Sequence, residues 1–202
     1  MNFKYILCHG FGFSEQYWKN LIPLLDGEVI FFREGLQFKD NEDYIGIGHS
    51  NGFTKLNNSG INFKYLIGLQ GFLNFCGGNP KMQLVRKSNL DKMIKNFKIN
   101  TTEALKEFYK ICGCHELEIP ETVDQEYLIN ELELMKKSYL HCGVKTTIIG
   151  SSEDRIVPIS LIEDNFINIE GVKIMCIDGI GHSLGFHNSE IVLKTIKNGA
   201  KI

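Results

Sequence analysis

The pentapeptide Gly48-His49-Ser50-Asn51-Gly52, directly behind the apolar run Tyr44-Ile45-Gly46-Ile47, constrains this chain more than any other stretch. A buried strand must turn sharply there into a helix. A serine with a glycine two positions away on each side suits that reversal, because the serine takes a strained backbone conformation and its neighbours must carry no bulk. Such a turn presents the hydroxyl as a candidate nucleophile. Taken alone, the pattern also fits an ordinary glycine-rich turn, so the rest of the chain has to supply partners for Ser50.

Length and charge narrow the setting. With 202 residues, 43% hydrophobic and 23% charged, the chain is long enough for one sizeable core and short for two full domains. A formal net charge of -2 gives no global attraction to nucleic acid or an anionic membrane, and neither is expected as a partner. Phe3 to Cys8 is too short for a signal-peptide core and is broken by Lys4, and no run of about 18 apolar residues spans a bilayer. The expectation is a cytoplasmic monomer. The six cysteines do not form a disulfide framework. Cys112-Gly113-Cys114-His115 is the one local group with metal-binding residue types, and it lacks the usual ligand spacing, so no metal and no cofactor is expected.

Strand-like and helix-like stretches alternate along most of the chain. Residues 3–8, 28–32, 44–48, 63–69, 145–149 and 172–177 read as strands. Residues 14–25, 51–58, 158–166 and 189–197 read as helices, the first with Ser14 as N-cap and Tyr17, Trp18, Leu21, Leu24 and Leu25 at helical spacing. This order predicts an α/β fold of six mostly parallel strands. Residues 80–98, 101–112 and 124–141 break the alternation as three successive amphipathic helices, with Leu128, Leu132, Met135 and Tyr139 forming one stripe. Residues 1–75 and 143–202 then form the core, and residues 76–142 a helical insertion before the fifth strand, placed to act as a lid. The stripe fits plain packing of that insertion equally well.

The nucleophile needs a base and an acid. Thr146 to Gly150 runs into Ser151-Ser152-Glu153-Asp154, and Lys173 to Ile177 runs into Asp178-Gly179-Ile180-Gly181-His182. Both loops leave the carboxyl ends of strands, where sheet proteins gather their chemistry. The order serine, acid, histidine assigns Asp154 and His182, with Glu153 as the second candidate acid. His182 would take the Ser50 proton during attack, and Asp154 would orient the imidazole and stabilise its charged form. A helix cap at Asp154 and a loop hydrogen bond at His182 are the simpler structural roles. Backbone N–H groups of Asn51 and of Phe11, in the turn His9-Gly10-Phe11-Gly12-Phe13, would form an oxyanion hole. His9 reads as a brace for that turn. His49, His115, His141 and His187 receive no catalytic role.

Together, His9-Gly10-Phe11-Gly12 with Trp18 downstream, Gly48-His49-Ser50-Asn51-Gly52, Asp154-Arg155-Ile156-Val157-Pro158 and Gly181-His182 resemble the α/β-hydrolase superfamily across nearly the whole sequence. Within it, the compact size and loop wording most resemble the biotin-pathway esterases that demethylate pimeloyl-acyl-carrier-protein methyl ester. That resemblance implies Ser50, Asp154 and His182 as a triad, Phe11 and Trp18 against the bound ester, and an acyl carrier protein as the substrate's carrier. It also implies departures: the leading strand hairpin of such enzymes is missing, and Gly35 to Asp43 is too short for the usual crossover helix. From Asn79 to His115, eight basic residues face three acidic ones. Arg86, Lys87 and Lys95 in that stretch are candidate contacts for an acidic carrier, or simply part of a solvated lysine-rich surface. A broad small-ester carboxylesterase or thioesterase with the same triad, and a binding protein on a hydrolase scaffold, are the other readings.

Overall fold

A computed structural model describes residues 3–39 and 42–199. Its centre is a six-stranded, all-parallel sheet in the order β2-β1-β3-β4-β5-β6. The strands are β1 (Lys4–Cys8), β2 (Glu28–Phe31), β3 (Tyr44–His49), β4 (Phe63–Leu69), β5 (Thr146–Ser151) and β6 (Val172–Ile177). All six residues of β3 and all six of β5 are buried, as expected of central strands covered on both faces. The edge strands β2 and β6 are only partly buried. Among the described residues all six strands run parallel, the α/β arrangement the sequence predicts.

Alternation along β4 fixes the two layers. Gly68 faces Phe53 of helix α1 (Asn51–Asn57), and Phe53 meets Phe166 of α5 (Ile159–Phe166) edge-on at 5.7 Å, so these helices share a face. Tyr65 and Leu69 point the other way, toward α7 (Ser189–Gly199) and the short α6 (Leu184–His187). Between β4 and β5 come α2 (Pro80–Ile99), α3 (Thr101–Cys112) and α4 (Gln125–Leu134). Each begins on a side-chain cap: Asn79 accepts from the Lys81 and Met82 amides, Asn100 from Glu103, and Asp124 from Tyr127. Buried Leu90, Ile94 and Phe97 of α2, Leu105 and Tyr109 of α3, and Leu128 and Leu132 of α4 join this block to the same core as the sheet.

Two sequence expectations fail here for local reasons. Residues 14–25 do not form one α-helix but two 3-10 turns, Glu15–Trp18 and Ile22–Leu24, and Ser14 makes no side-chain cap. Pro23 has no N–H to give and its ring would strike the carbonyl four residues back, so the segment tightens onto i to i+3 bonds such as Leu21 N–H to Trp18 O at 2.9 Å. The helix expected over 124–141 ends at Leu134. Ser138 instead bridges Asn74 in antiparallel fashion, and the Tyr139 N–H donates to the Leu73 carbonyl at 3.0 Å. Leu128, Leu132 and Met135 keep their stripe, while Tyr139 has left it. Between β2 and β3 no helix forms among the described residues, and residues 32–39 run as an irregular strap.

Candidate active site

Ser50 follows β3 with φ 53° and ψ -126°, a left-side conformation that costs a non-glycine residue about 1–3 kcal/mol. The surroundings enforce it. The Ser50 N–H is bound to the Leu69 carbonyl at 2.9 Å, and the Ser50 carbonyl accepts from Phe53 at 3.1 Å, which starts α1. A side chain at Gly48 would strike the Phe53 backbone, and one at Gly52 the carbonyl oxygens of Cys8 and His9. Both glycines of the pentapeptide are therefore required by close approach.

Asp154, His182 and Ser50 come together from the ends of β5, β6 and β3. His182 Nε2 lies 3.1 Å from Ser50 Oγ, and His182 Nδ1 lies 2.7 Å from Asp154 Oδ2. All three are buried, at 6% exposure for Ser50, 3% for Asp154 and 2% for His182. Asp154 Oδ1 also accepts the N–H groups of Ile156 at 2.8 Å and Val157 at 2.9 Å, so the turn-capping role coexists with the contact to His182. Glu153, the second candidate acid, is exposed, and it is Asp154 whose carboxylate meets His182.

Gln70 is a member of the cluster that sequence reasoning missed. It follows directly on β4, has no exposed surface, and shares the φ of 53° found at Ser50. Its Nε2 donates to Asp154 Oδ2 at 2.7 Å and to the Gly181 carbonyl at 2.5 Å, and its Oε1 accepts from the Leu184 N–H at 3.1 Å. One amide thus ties the Asp154 loop to both sides of His182. The available signal was a glutamine closing the apolar run Phe63 to Leu69, at the same edge of the sheet as the other site residues.

The turn after β1 lies against the serine: a Cβ added at Gly10 would come within 3.0 Å of Ser50 Cβ and 2.7 Å of His49 Nδ1. Among the described residues, no acceptor takes the N–H of Phe11 or of Asn51. The Phe11 ring is buried and packs edge-on against Phe97 of α2 at 5.4 Å and Phe108 of α3 at 5.3 Å. Tyr109 of α3 donates its hydroxyl to the Gly12 carbonyl at 2.6 Å, so the helical block clamps this turn. Trp18 has no exposed surface and packs perpendicular to Tyr17, beside Gly185. That position serves the core and offers no face to a ligand, contrary to the substrate contact the resemblance implied. His9 Nδ1 meets the Gly10 carbonyl at 3.0 Å, a local brace.

His49 is fully buried, stacked on Tyr17 at 4.3 Å and 4.8 Å from the His182 ring, and neither of its ring nitrogens makes a hydrogen bond among the described residues. Burial, reinforced by the neighbouring His182, holds its pKa well below the usual histidine value. His115 and His187 are exposed, and His141 bonds Thr146 outside the cluster. Of the proposed carrier contacts, Lys87 and Lys95 are exposed on α2, whereas Arg86 is half-buried and donates to the Cys76 carbonyl at 3.2 Å. Cys112 and Cys114 are buried, and burial pushes both thiols up. No group of three or more metal-ligating side chains gathers among the described residues. No helix among them is long and apolar enough to cross a membrane.

No family model and no curated protein matches this chain. Solved structures do. A hydrolase from Pseudomonas aeruginosa superposes with a TM-score of 0.73 at 9% identity, over 100% of this chain and 91% of that one. A hydrolase from Oleispira antarctica gives 0.71 at 15% identity, covering 98% and 92%. An esterase from Exiguobacterium antarcticum gives 0.69 at 16% identity, again over 98% and 92%. At such identities the likeness carries the fold, and what the site does must be argued from its own geometry.

Proposed function

We propose that this chain is a serine carboxylester hydrolase working through an acyl-enzyme on Ser50. The observation that carries the reading is the hydrogen-bonded chain Ser50 Oγ, His182, Asp154, at 3.1 Å and 2.7 Å, on a serine held at positive φ. Ser50 Oγ adds to the ester carbonyl carbon while its proton passes to His182 Nε2. The carbonyl oxygen gains negative charge facing the free N–H groups of Phe11 and Asn51. The bond to the alkoxy oxygen then breaks, and the alcohol leaves with the proton from His182. Water adds to the acyl-enzyme, gives a proton to His182, and the acid departs as Ser50 Oγ recovers it. Asp154 keeps the imidazole in the tautomer this relay requires and stabilises its charged form.

Within that class, the proposed substrate is the methyl ester of a pimeloyl chain on its acyl carrier protein, with residues 76–142 as the lid that meets the carrier. The exposed Lys87 and Lys95 on α2 support an acidic partner, and Arg86 braces the start of that helix. The alternative of a broad small-ester carboxylesterase uses the same site and ignores the carrier.

Turnover of a chromogenic short-chain ester tests the first claim. Ser50→Ala should lower kcat by about 10⁶-fold, to the limit of detection, with the fold retained by circular dichroism. Retained hydrolysis would remove Ser50 from the mechanism. The carrier claim is tested by Lys87→Glu combined with Lys95→Glu. Turnover of the carrier-bound ester should fall about tenfold or more, while a free methyl ester is affected far less. Equal losses on both substrates would favour the broad esterase.

A further inference from the structure

A cavity of about 340 Å³ lies beside α1, between that helix, the strap after β2 and helix α4. Asn51, Thr54, Lys55 and Asn58 line it, at steps of three and four residues, so one whole face of α1 forms its wall. Phe32 and Phe38 of the strap close a second side, and Phe72, Leu134 and Met135 a third. In a sheet of this kind a crossover helix between β2 and β3 would cover that face of α1. Here only an irregular strap spans it among the described residues, and the space between strap and helix stays open.

Three features of this cavity bear on what it accepts. It starts at Asn51, the residue after the proposed nucleophile, whose N–H is one of the two proposed oxyanion donors. From Asn51 to Asn58 it runs about 10 Å along the helix. Its buried charges cancel: Lys55 Nζ pairs with the Glu131 carboxylate, and the Tyr127 hydroxyl bonds the same ammonium at 3.1 Å. The second Glu131 oxygen accepts from Asn51 Nδ2 at 3.4 Å, which ties the start of α1 to α4. Arg33 and Glu34 sit on the exposed strap at the rim, with Arg33 paired to Glu15. A ligand in the interior therefore meets mostly apolar side chains, with the neutral polar groups of Thr54, Asn58 and Ser59 among them, while the charge of Glu34 stays at the rim.

We propose that this cavity holds the acyl chain of the ester, an uncharged aliphatic arm on the order of eight carbons, fed from Ser50 along α1. The inference rests on the ester-hydrolase reading of the site. The acyl side is chosen over the alcohol because the acyl group stays bonded to Ser50 through both half-reactions. Its arm needs a walled seat throughout, whereas the alcohol must leave after the first step.

The test uses two series of substrates, methyl esters of straight-chain acids from acetate to dodecanoate, and acetate esters of straight-chain alcohols. Asn58→Trp fills the cavity from α1 and Leu134→Trp from α4, so a failure of one to fold leaves the other. In the acyl series, turnover by the unaltered protein should peak near octanoate. Each variant should lower the octanoate-to-acetate ratio about tenfold or more, and ratios within the alcohol series should hold. An unchanged acyl ratio in both folded variants, or a change confined to the alcohol series, overturns the proposal. Calorimetric binding of methyl octanoate to Ser50→Ala separates this from the parent reading. Binding that disappears when Asn58→Trp is added supports the cavity even if no ester is turned over, in which case hydrolysis is what fails. Ester turnover with octanoate binding indifferent to Asn58→Trp leaves the hydrolase standing and removes the cavity.

Discussion

Gln70 occupies on β4 the place that Ser50 occupies on β3. Each follows the last residue of its strand at φ 53°, and each donates its N–H to the next strand over, Ser50 to Leu69 and Gln70 to Ile149. The hydrogen-bond ladder thus continues one residue past each strand while the side chain is turned into the site. For Gln70 that side chain is spent on Asp154, Gly181 and Leu184, so it acts on the reaction only through them, as a positioning residue. Replacing it with glutamate keeps the length and swaps a donor for an acceptor beside Asp154 Oδ2. A second carboxylate there favours proton uptake by the cluster. The acid limb of the kcat/KM profile for Gln70→Glu should move to higher pH by about one unit or more, with KM changed less than kcat. Gln70→Ala should lower kcat without moving that limb. A glutamate variant whose profile merely scales down would reduce Gln70 to a packing role.

Among the elements, those whose identity is local were legible from the residues. The central strands read as apolar runs because both of their faces are covered, and α2 and α3 read correctly from their amphipathic spacing, which the caps Asn79 and Asn100 and the left-handed Gly113 at φ 77° bound in the structure. What failed depends on contacts far along the chain. Nothing near Tyr139 announces that its N–H will find Leu73, and the helical stripe continues on paper past the point where the chain leaves the helix. The Tyr17, Trp18 and Leu21 spacing is compatible with tighter turns as well as with an α-helix, and Pro23 decides between them. The site divides in the same way. Ser50, Asp154 and His182 each lie in the turn or loop that leaves a strand, inside a recognisable local pattern, so their meeting could be expected. Gln70 and the Glu131–Lys55 pair have no motif of their own. Glu131 sits one residue before Leu132 of the buried stripe, and only the approach of α4 to α1 makes its burial intelligible.

The whole molecule carries an acid liability that none of the catalytic residues explains. His49 is fully buried between Tyr17 and His182, with no hydrogen-bond partner for either ring nitrogen among the described residues, and burial favours its neutral form. In the unfolded chain the same imidazole titrates near about 6.5. Above that pH neither state binds a proton there, and stability is level. As pH falls below it, the unfolded chain takes up a proton that the folded molecule refuses until its own depressed pKa is reached. Stability is therefore lost across that window, by up to about 1.4 kcal/mol per pH unit from this group. A domain's stability is typically only about 5–15 kcal/mol, so a loss that accumulates as pH falls through that window is a measurable part of it. His9, lowered chiefly by burial, adds in the same direction. Urea denaturation at pH 7.5, 6 and 5 should show the midpoint of the unaltered protein falling steadily. His49→Phe, which keeps a ring against Tyr17 and cannot titrate, or His49→Gln should each fall less steeply over the same range. Midpoints that drop in parallel in all three proteins would place the acid sensitivity elsewhere in the molecule.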